Sequence, residues 1–224
     1  KTITFTTSIE SSAIQNNVQK TFNNTASLTG TGVPDNTTDN TTVSFTPSYF
    51  EKTCNQWYSQ NDDHGDYTGD AYNKATHEIT WKYRINKSCL HMTAPVITDT
   101  IPSTQTFVTD SVQVYNHSTG AAVKVDASEY SVTQNADANT FTITFNNDID
   151  DFYTVTYKTK IDDEDMPSTG SNTYTNSATI NTDGNTTTDD ATSPSVSGYS
   201  LDKSGTILQN TTDTSNAILA WQVD

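Results

Sequence analysis

The sequence repeats itself at a constant spacing. Residues 3–9 (ITFTTSI) recur 152 positions later as residues 155–161 (VTYKTKI), and residues 22–26 (FNNTA) recur at the same spacing as residues 174–178 (YTNSA). No insertion separates the two matches, so two strand-like segments and the link between them are repeated together. Self-similarity of this kind indicates that the chain contains parts of more than one copy of a structural unit.

The beginning of this unit is repeated as well as its end. Residues 49–53 (YFEKT) resemble residues 200–204 (SLDKS), and residues 79–81 (ITW) resemble residues 219–221 (LAW). The order of the four matches along the chain therefore places the end of one copy first, a whole copy in the middle and the start of another copy last.

These matches predict the domain organisation. We expect the final strands of a preceding repeat in residues 1–32, a complete repeat in residues 43–184 and the first strands of a following repeat in residues 196–224. Residues 30–42 and 182–197 are rich in Gly, Pro, Asn and Asp, as solvated linkers are. We interpret the chain as a window cut through a tandem array, with neighbouring repeats of the same or adjacent chains as its partners.

Apolar and polar residues alternate along the expected strands. In residues 79–85 (ITWKYRI), every second side chain is apolar or aromatic, which is the period of a strand with one buried face. Only 32% of the residues are hydrophobic, whereas 44 are Thr, a β-branched type that is common in strands. The pattern predicts an all-β protein: an antiparallel immunoglobulin-like β-sandwich, in tandem repeats.

The charge of the chain excludes several classes of partner. The formal net charge is -16 and Lys and Arg together number 11, so neither nucleic acid nor an anionic membrane surface is an expected partner. No run of about 18 apolar residues predicts a membrane-spanning helix within this window. The histidines lack metal-ligand spacing, and no serine nucleophile motif or Gly-rich phosphate loop occurs. We therefore expect a protein that is not an enzyme and needs no cofactor.

Five motifs, in order, carry a resemblance to a known family. They are residues 50–52 (FEK), 79–85 (ITWKYRI), 96–102 (VITDTIP), 155–161 (VTYKTKI) and 174–178 (YTNSA). Together they resemble the immunoglobulin-like domains of Gram-positive surface adhesins of the collagen-binding adhesin type, and the related stalk repeats. The resemblance implies an extracellular protein at the cell surface.

The resemblance also implies a covalent crosslink. In that family an early lysine and a late asparagine form a spontaneous intramolecular isopeptide bond, assisted by a buried acid. The matching positions here are Lys52, Asn176 and Asp99. Asn24 and Lys203 are the corresponding half-sites of the flanking repeats, and each lacks its partner within this window.

The chemistry of such a bond requires burial. A lysine amine attacks a carboxamide only when it is neutral, and burial among apolar side chains lowers its pKa. The acid must be protonated to hydrogen-bond the amide oxygen and to pass a proton to the leaving ammonia. We expect Phe50, Trp81 and Tyr174 to supply dry surroundings. The alternative is that the lysine and asparagine are solvated and the aspartate belongs to a turn.

Two smaller features have their own interpretations. Cys54 and Cys89 form an even pair in an acidic, Thr-rich chain of extracellular type, which predicts a disulfide; two free buried thiols are the alternative. Residues 61–70 crowd four carboxylates and two glycines into one loop. A solvated acidic loop is the favoured interpretation, and the alternative is a calcium site, whose candidate ligands are Asp62, Asp63, Asp66 and Asp70.

Three function classes remain, the last of which is an accessory domain of a secreted enzyme. The first is a structural repeat of a surface fibre or adhesin stalk, which tandem repeat units serve well. The alternative is an adhesive module that binds a host matrix protein or a glycan. A concave groove with exposed aromatic residues favours adhesion, whereas smooth polar faces favour a stalk.

Overall fold

A computed structural model describes residues 2–7, 9, 14–54, 71–198, 203–207 and 219–223. All its long elements are β-strands, and every strand pair is antiparallel, which confirms the predicted fold class. No helix in the described part of the chain is long and apolar enough to cross a membrane. The short helix is a 3-10 turn at Asp163–Asp165.

The strands are β1 (Lys20–Ser27), β2 (Thr38–Phe45), β3 (Phe50–Thr53), β4 (Tyr72–Asn73), β5 (Glu78–Ile85), β6 (Val96–Thr100), β7 (Gln105–Phe107), β8 (Gln113–Asn116), β9 (Val123–Lys124), β10 (Tyr130–Asn135), β11 (Thr140–Phe145), β12 (Tyr153–Ile161), β13 (Ser171–Asn172), β14 (Thr175–Thr182), β15 (Asn185–Thr192), β16 (Val196–Ser197), β17 (Lys203–Ile207) and β18 (Leu219–Val223).

Strands β3 to β12, β14 and β15 form a two-layered sandwich, and β13 pairs with β16 in a short sheet of its own. One sheet has the order β10-β11-β6-β14-β15. The other has the order β3-β5-β12-β8-β9, with β4 added to β5 and β7 added to β12. Burial alternates along β11 and β14, as expected for strands with one face on the core and one face in water. Seven of the eight residues of β5 are buried, so both faces of this strand are covered.

Aromatic side chains fill the space between the sheets. Tyr83 and Tyr157 stack with their ring centroids 5.2 Å apart, and Phe141 packs against Tyr157 at 4.8 Å. Trp81 is fully buried, and its indole N–H donates to Thr159 Oγ1 at 2.7 Å. Since buried polar atoms need partners, this bond allows Trp81 to lie inside the core.

Side-chain hydrogen bonds close the sandwich along one side, where β3 and β15 lie at the edges of opposite sheets. The backbone N–H of Lys52 donates to Asp189 Oδ2 at 2.8 Å. The hydroxyl of Tyr49, just before β3, lies 2.9 Å from the hydroxyl of Thr187. The first strand of the sandwich is thus held against the last long one.

The two ends of the chain form separate hairpins. Strand β1 pairs with β2 along its whole length, and β17 pairs with β18. Each hairpin is a two-stranded sheet of its own.

The limits of these units differ from the predicted ones. Strand β2 begins inside the expected linker 30–42, and β15 occupies half of the expected linker 182–197. Every residue of β15 pairs with β14, so the sandwich continues past residue 184. Both segments are rich in Thr and poor in apolar residues, which gives them strand propensity without the alternation that identifies a strand.

Candidate functional site

The backbone brings three sequence-predicted residues to the interface between the two sheets. Lys52 pairs with Tyr83 and lies on the inward face of β3, where burial alternates. Asp99 of β6 pairs with Ala178 of β14. Asn176 is two residues from Ala178 and therefore lies on the same face of β14, diagonally across from Asp99. All three side chains are buried, with 3% of Lys52, none of Asp99 and 2% of Asn176 exposed.

Lys52 contacts both a carboxylate and a phenol. Its Nζ contacts Asp99 Oδ2 and lies 2.7 Å from the hydroxyl oxygen of Tyr157. The aromatic rings of Trp81, Tyr83 and Tyr157 surround the same nitrogen, with centroids 5.4, 5.2 and 5.3 Å away. The lysine side chain therefore ends in a cage of one acid and three aromatic rings.

The Asp99 and Asn176 side chains are each hydrogen-bonded through one of their two polar atoms. Asp99 Oδ2 accepts from the hydroxyls of Tyr83 and Tyr157, the latter at 2.6 Å. The Nδ2 group of Asn176 donates to the Tyr157 hydroxyl at 3.0 Å. The remaining oxygens, Asp99 Oδ1 and Asn176 Oδ1, are buried and have no hydrogen-bond partner. Buried oxygens without a partner are uncommon and costly, so this pair requires a functional explanation.

Burial controls the titration of the groups in this cluster. Loss of hydration lowers the pKa of Lys52 from 10.5 to about 8, although the carboxylate of Asp99 acts in the opposite direction. Burial also raises the pKa of the Tyr83 and Tyr157 hydroxyls well above 10.0, and the charge of Asp99 adds to this effect. The two phenols therefore stay protonated and remain hydrogen-bond donors, while the amine loses its proton more easily than a solvated lysine.

Two site residues were not predicted from the sequence. Tyr83 and Tyr157 were assigned only to strands, yet their hydroxyls bond Asp99. The period of two was a usable signal, because it places both tyrosines on the inward face, where a phenol needs a polar partner. Tyr174 is buried and donates its hydroxyl to the backbone carbonyl of Asp165 at 2.9 Å, and its place in the dry surroundings of the lysine stays a prediction.

The predicted disulfide is not formed. Cys54 is buried and Cys89 is exposed, and both are free thiols. The register explains why: Thr53 pairs with Lys82 near the start of β5, whereas Cys89 follows the end of that strand at Ile85. The four residue steps from Trp81 to Ile85 alone separate the two positions by about 13 Å, well beyond the reach of a disulfide.

The remaining predicted residues lie apart from the cluster. Asn24 lies on β1 and pairs with Thr41, and Lys203 lies on β17 and pairs with Val223. The calcium candidates Asp62, Asp63, Asp66 and Asp70 lie outside the described residues. Within the described ranges, no group of three or more His, Cys, Asp or Glu side chains is placed to hold a metal ion.

The fold and the buried cluster together define a class: an immunoglobulin-like sandwich with a lysine, an acid and an asparagine buried between its sheets. The chain belongs to the collagen binding domain family, whose model matches residues 62–191. Members of this family are non-enzymatic surface adhesins, which confirms the expectation of a non-enzymatic protein and the family to which the motifs pointed. No curated protein matches the sequence significantly.

Several solved structures are similar in fold. The collagen binding domain of the Erysipelothrix rhusiopathiae surface protein RspB has 19% identity and a TM-score of 0.45, and the match covers 83% of this chain and 60% of that one. The collagen adhesin CNA of S. aureus has 13% identity and a TM-score of 0.43, with coverages of 83% and 57%. The Enterococcus faecalis adhesin ACE, described as binding its ligands by a collagen hug, has 18% identity and a TM-score of 0.42, with coverages of 55% and 46%. The chain thus spans about half of the length of these structures.

Proposed function

We propose that this chain is an adhesive module of a cell-surface protein and that it binds a collagen-type matrix protein of the host. The observation that carries the proposal is the family match over residues 62–191, which spans most of the sandwich. It favours adhesion over the stalk function that the repeats alone suggested. The high negative charge fits a surface protein that avoids nucleic acid and anionic lipid.

A groove at one end of the sandwich is the surface that we assign to the ligand. It has a volume of about 260 Å³ and lies between edge strand β10 and the β7–β8 connection. Tyr130 and Val132 of β10 lie on one side of it, and Phe107 and Val112 lie on the other. Val132 is 40% exposed. Tyr130 and Val132 place apolar surface beside the free edge of β10, and an elongated rigid ligand such as a collagen triple helix can lie along that edge.

Binding of the 224-residue chain to immobilised triple-helical collagen tests this function. We expect saturable binding that is lost with heat-denatured collagen and weakened at least tenfold by Tyr130→Ala. The matched control is Tyr115→Ala, which removes a tyrosine whose hydroxyl bonds only the exposed Gln113 side chain. Equal binding to native and denatured collagen, or no binding to either, overturns the proposal.

We further propose that an isopeptide bond joins Lys52 to Asn176. The support is the arrangement of the two buried oxygens without partners. If the proton of the lysine–aspartate pair moves to Asp99 Oδ1, the acid can donate to Asn176 Oδ1, and a single hydrogen bond then satisfies both oxygens. The same transfer leaves Lys52 neutral, as nucleophilic attack requires.

The reaction is balanced without any further reagent. The lone pair of Lys52 Nζ attacks Cγ of Asn176 while the protonated Asp99 stabilises the charge that develops on Oδ1. The bond from Cγ to Nδ2 then breaks, and Nδ2 leaves as ammonia after it receives a proton that the amine has lost. The ammonia takes up the proton that Asp99 received from Lys52 and departs as ammonium, so Asp99 returns to the carboxylate with which it began and is a true catalyst of the step.

An intact-mass measurement tests the crosslink independently of binding. We expect the chain to weigh about 17 Da less than its sequence, which is the mass of the ammonia lost. Lys52→Ala, Asn176→Ala and Asp99→Ala are each expected to have their full sequence masses. An unmodified wild-type mass excludes the bond.

A further inference from the structure

A short segment ahead of the β1–β2 hairpin lies on the sandwich, although it belongs to no strand. It comprises residues 14–17, which we call the strap, and two residues separate it from β1. Ile14 is 3% exposed and lines a small cavity together with Tyr49, Leu90 and Met92 of the sandwich. Pulling the strap away would return this apolar side chain to water, which costs free energy. The strap is therefore held at its first residue by hydrophobic contact.

Asn16 ties the strap to the start of β3. Its Oδ1 accepts from the backbone N–H groups of Tyr49 and Phe50, at 2.8 and 3.3 Å, and its Nδ2 donates to the Phe50 carbonyl at 2.7 Å. The backbone N–H of Asn17 donates to the Pro47 carbonyl at 2.7 Å. Tyr49 and Phe50 are buried, and buried backbone groups need hydrogen-bond partners. The strap supplies such partners at the point where the chain enters the sandwich.

A strand pair of the same register lies where the chain leaves the sandwich. Lys20 and Phe45 pair at the open end of the β1–β2 hairpin. By the spacings of 152 and 151 residues, they correspond to Asn172 and Val196. These two residues also pair with each other, as the link between β13 and β16. The chain therefore passes into and out of the sandwich through equivalent strand pairs.

The backbones approach each other closely at the second of these pairs. The N–H of Gly198 donates to the Gly170 carbonyl at 2.9 Å. A Cβ atom at Gly198 would lie 2.0 Å from the carbonyl oxygen of Pro167, so no larger residue fits there without a shift of the backbone. Met166, which corresponds to Ile14 of the strap by the spacing of 152 residues, is buried as well. The segment ahead of the strand pair is thus anchored at both places.

We propose that the strap is a rigid joint, which holds the β1–β2 hairpin in one orientation relative to the sandwich. Two units connected by one stretch of chain usually move relative to each other. Four residues, 46–49, connect β2 to β3. The strap adds a second connection across the same gap, because it continues into β1 and bonds the start of β3. Two connections side by side prevent the bending and twisting that one alone permits.

The joint also determines how tension passes between the hairpin and the sandwich. Without the strap, a pull on the hairpin acts on β3 through residues 46–49 alone. With the strap, the hydrogen bonds between Asn16 and Phe50 share this pull, and Phe50 is the first residue of β3. The load therefore reaches the sandwich from β1 as well as from β2.

Hydrogen exchange tests the contacts of the strap in solution. Asn16→Ala is expected to speed the exchange of the Tyr49 backbone amide at least tenfold, because that N–H loses its acceptor. The matched control is Gln15→Ala, which changes the neighbouring strap residue, whose side chain is exposed. It is expected to leave the exchange rate unchanged. Equal rates in the two variants, measured by NMR, overturn the proposal.

Distances between two spin labels test the rigidity of the joint. In a Cys89→Ser background, labels at Thr41→Cys on β2 and Thr133→Cys on β10 report the position of the hairpin relative to the sandwich, and both positions are exposed. We expect one narrow distance distribution, which Ile14→Ser widens at least twofold and Gln15→Ala leaves unchanged. A distribution that is already as broad without Ile14→Ser overturns the proposal.

The number of labels shows whether the sandwich stays folded in each variant. Cys54 is buried, which raises its pKa to about 12, so two labels per chain are expected in the folded protein and three after unfolding. Ile14→Ala, a milder truncation of the same side chain, is measured beside Ile14→Ser and is expected to widen the distribution in the same direction. Two labels per chain and a narrow distribution in both Ile14 variants would show that the strap does not hold the hairpin.

Discussion

Lys52 and Asn176 lie in opposite sheets of the sandwich, yet their side-chain nitrogens hydrogen-bond the same hydroxyl, that of Tyr157. The phenol oxygen thus positions both the nucleophile, Lys52 Nζ, and the leaving group, Asn176 Nδ2, of the proposed reaction. It also donates to Asp99, so it links all three members of the cluster.

The position of the proposed bond in the fold explains its value. Strand β3 is the first strand of the sandwich, and β14 is next to its last long strand. A force that pulls on the two ends of the domain enters near these strands, so a covalent bond between them carries the load past the hydrophobic core. This suits a chain in which 32% of the residues are hydrophobic.

Asn176→Ala is expected to lower the melting temperature substantially. The bond closes a loop of about 125 residues, which stabilises the folded state by about 5 kcal/mol on the chain-entropy estimate. For a chain of this size, that loss corresponds to about 10–20 °C. Differential scanning calorimetry measures the change. The control is Asn181→Ala on the exposed face of the same strand, which is expected to shift the midpoint by less than about 2 °C.

The sequence predicted the strands better than their partners. Strands β5, β12 and β14 alternate apolar and polar residues, and this pattern identified them. Strand β15 has no such pattern. It pairs with one neighbour, β14, and its outer residues face water, so its sequence does not alternate between apolar and polar residues. Spacing along the chain also cannot give strand register, which is why Cys54 and Cys89 were paired although they lie towards opposite ends of β5.

The residues of the site were likewise predictable only in part from the sequence. Lys52, Asp99 and Asn176 were proposed from a resemblance in motif order, and the structure places the three together. The role of Tyr157 depends on which side chains meet across two sheets. That information arises from packing between strands distant in sequence, and no local pattern contains it.

Tyr157→Phe is expected to slow crosslink formation at least tenfold while the sandwich still folds. The substitution keeps the ring that packs on Tyr83 and Phe141 but removes the oxygen that positions Lys52 and Asn176. The uncrosslinked fraction is measured by intact mass at intervals after refolding. Tyr83→Phe is the matched control, because its hydroxyl contacts Asp99 but neither reacting nitrogen. A larger effect from Tyr83→Phe would show that Tyr83, and not Tyr157, positions the reacting groups.

The two cysteines are expected to differ sharply in reactivity. Cys89 is exposed, whereas Cys54 is buried, donates to the Thr80 carbonyl at 3.5 Å and has its pKa raised by burial to about 12. Since the thiolate is the reactive form, a maleimide is expected to label one thiol in the native protein and two after denaturation. Mapping by peptide mass identifies the native site as Cys89. Failure to label either thiol without a reductant would indicate that a disulfide forms after all.

The lowered pKa of Lys52 predicts how the stability of the uncrosslinked protein depends on pH. Burial lowers the pKa of its amine from 10.5 in the unfolded chain to about 8 in the folded one. Between these values the unfolded chain holds more protons on this amine than the folded chain, so the free energy of unfolding rises with pH. For Asn176→Ala we expect a rise of about 2 kcal/mol between pH 8 and pH 10, measured by urea unfolding.

Two comparisons isolate the contribution of this amine. The Lys52→Met, Asn176→Ala double variant keeps every other titrating group, and it is expected to lack the rise. The crosslinked wild type is expected to lack it as well, because an amide nitrogen does not bind a proton in this range. Below pH 8 the amine is protonated in both the folded and the unfolded chain. The Asn176→Ala variant and the double variant are therefore expected to follow the same pH dependence there. A rise of equal size in the double variant would mean that groups other than Lys52 produce it, and that the amine is not held in the low-dielectric cage that the proposed reaction needs.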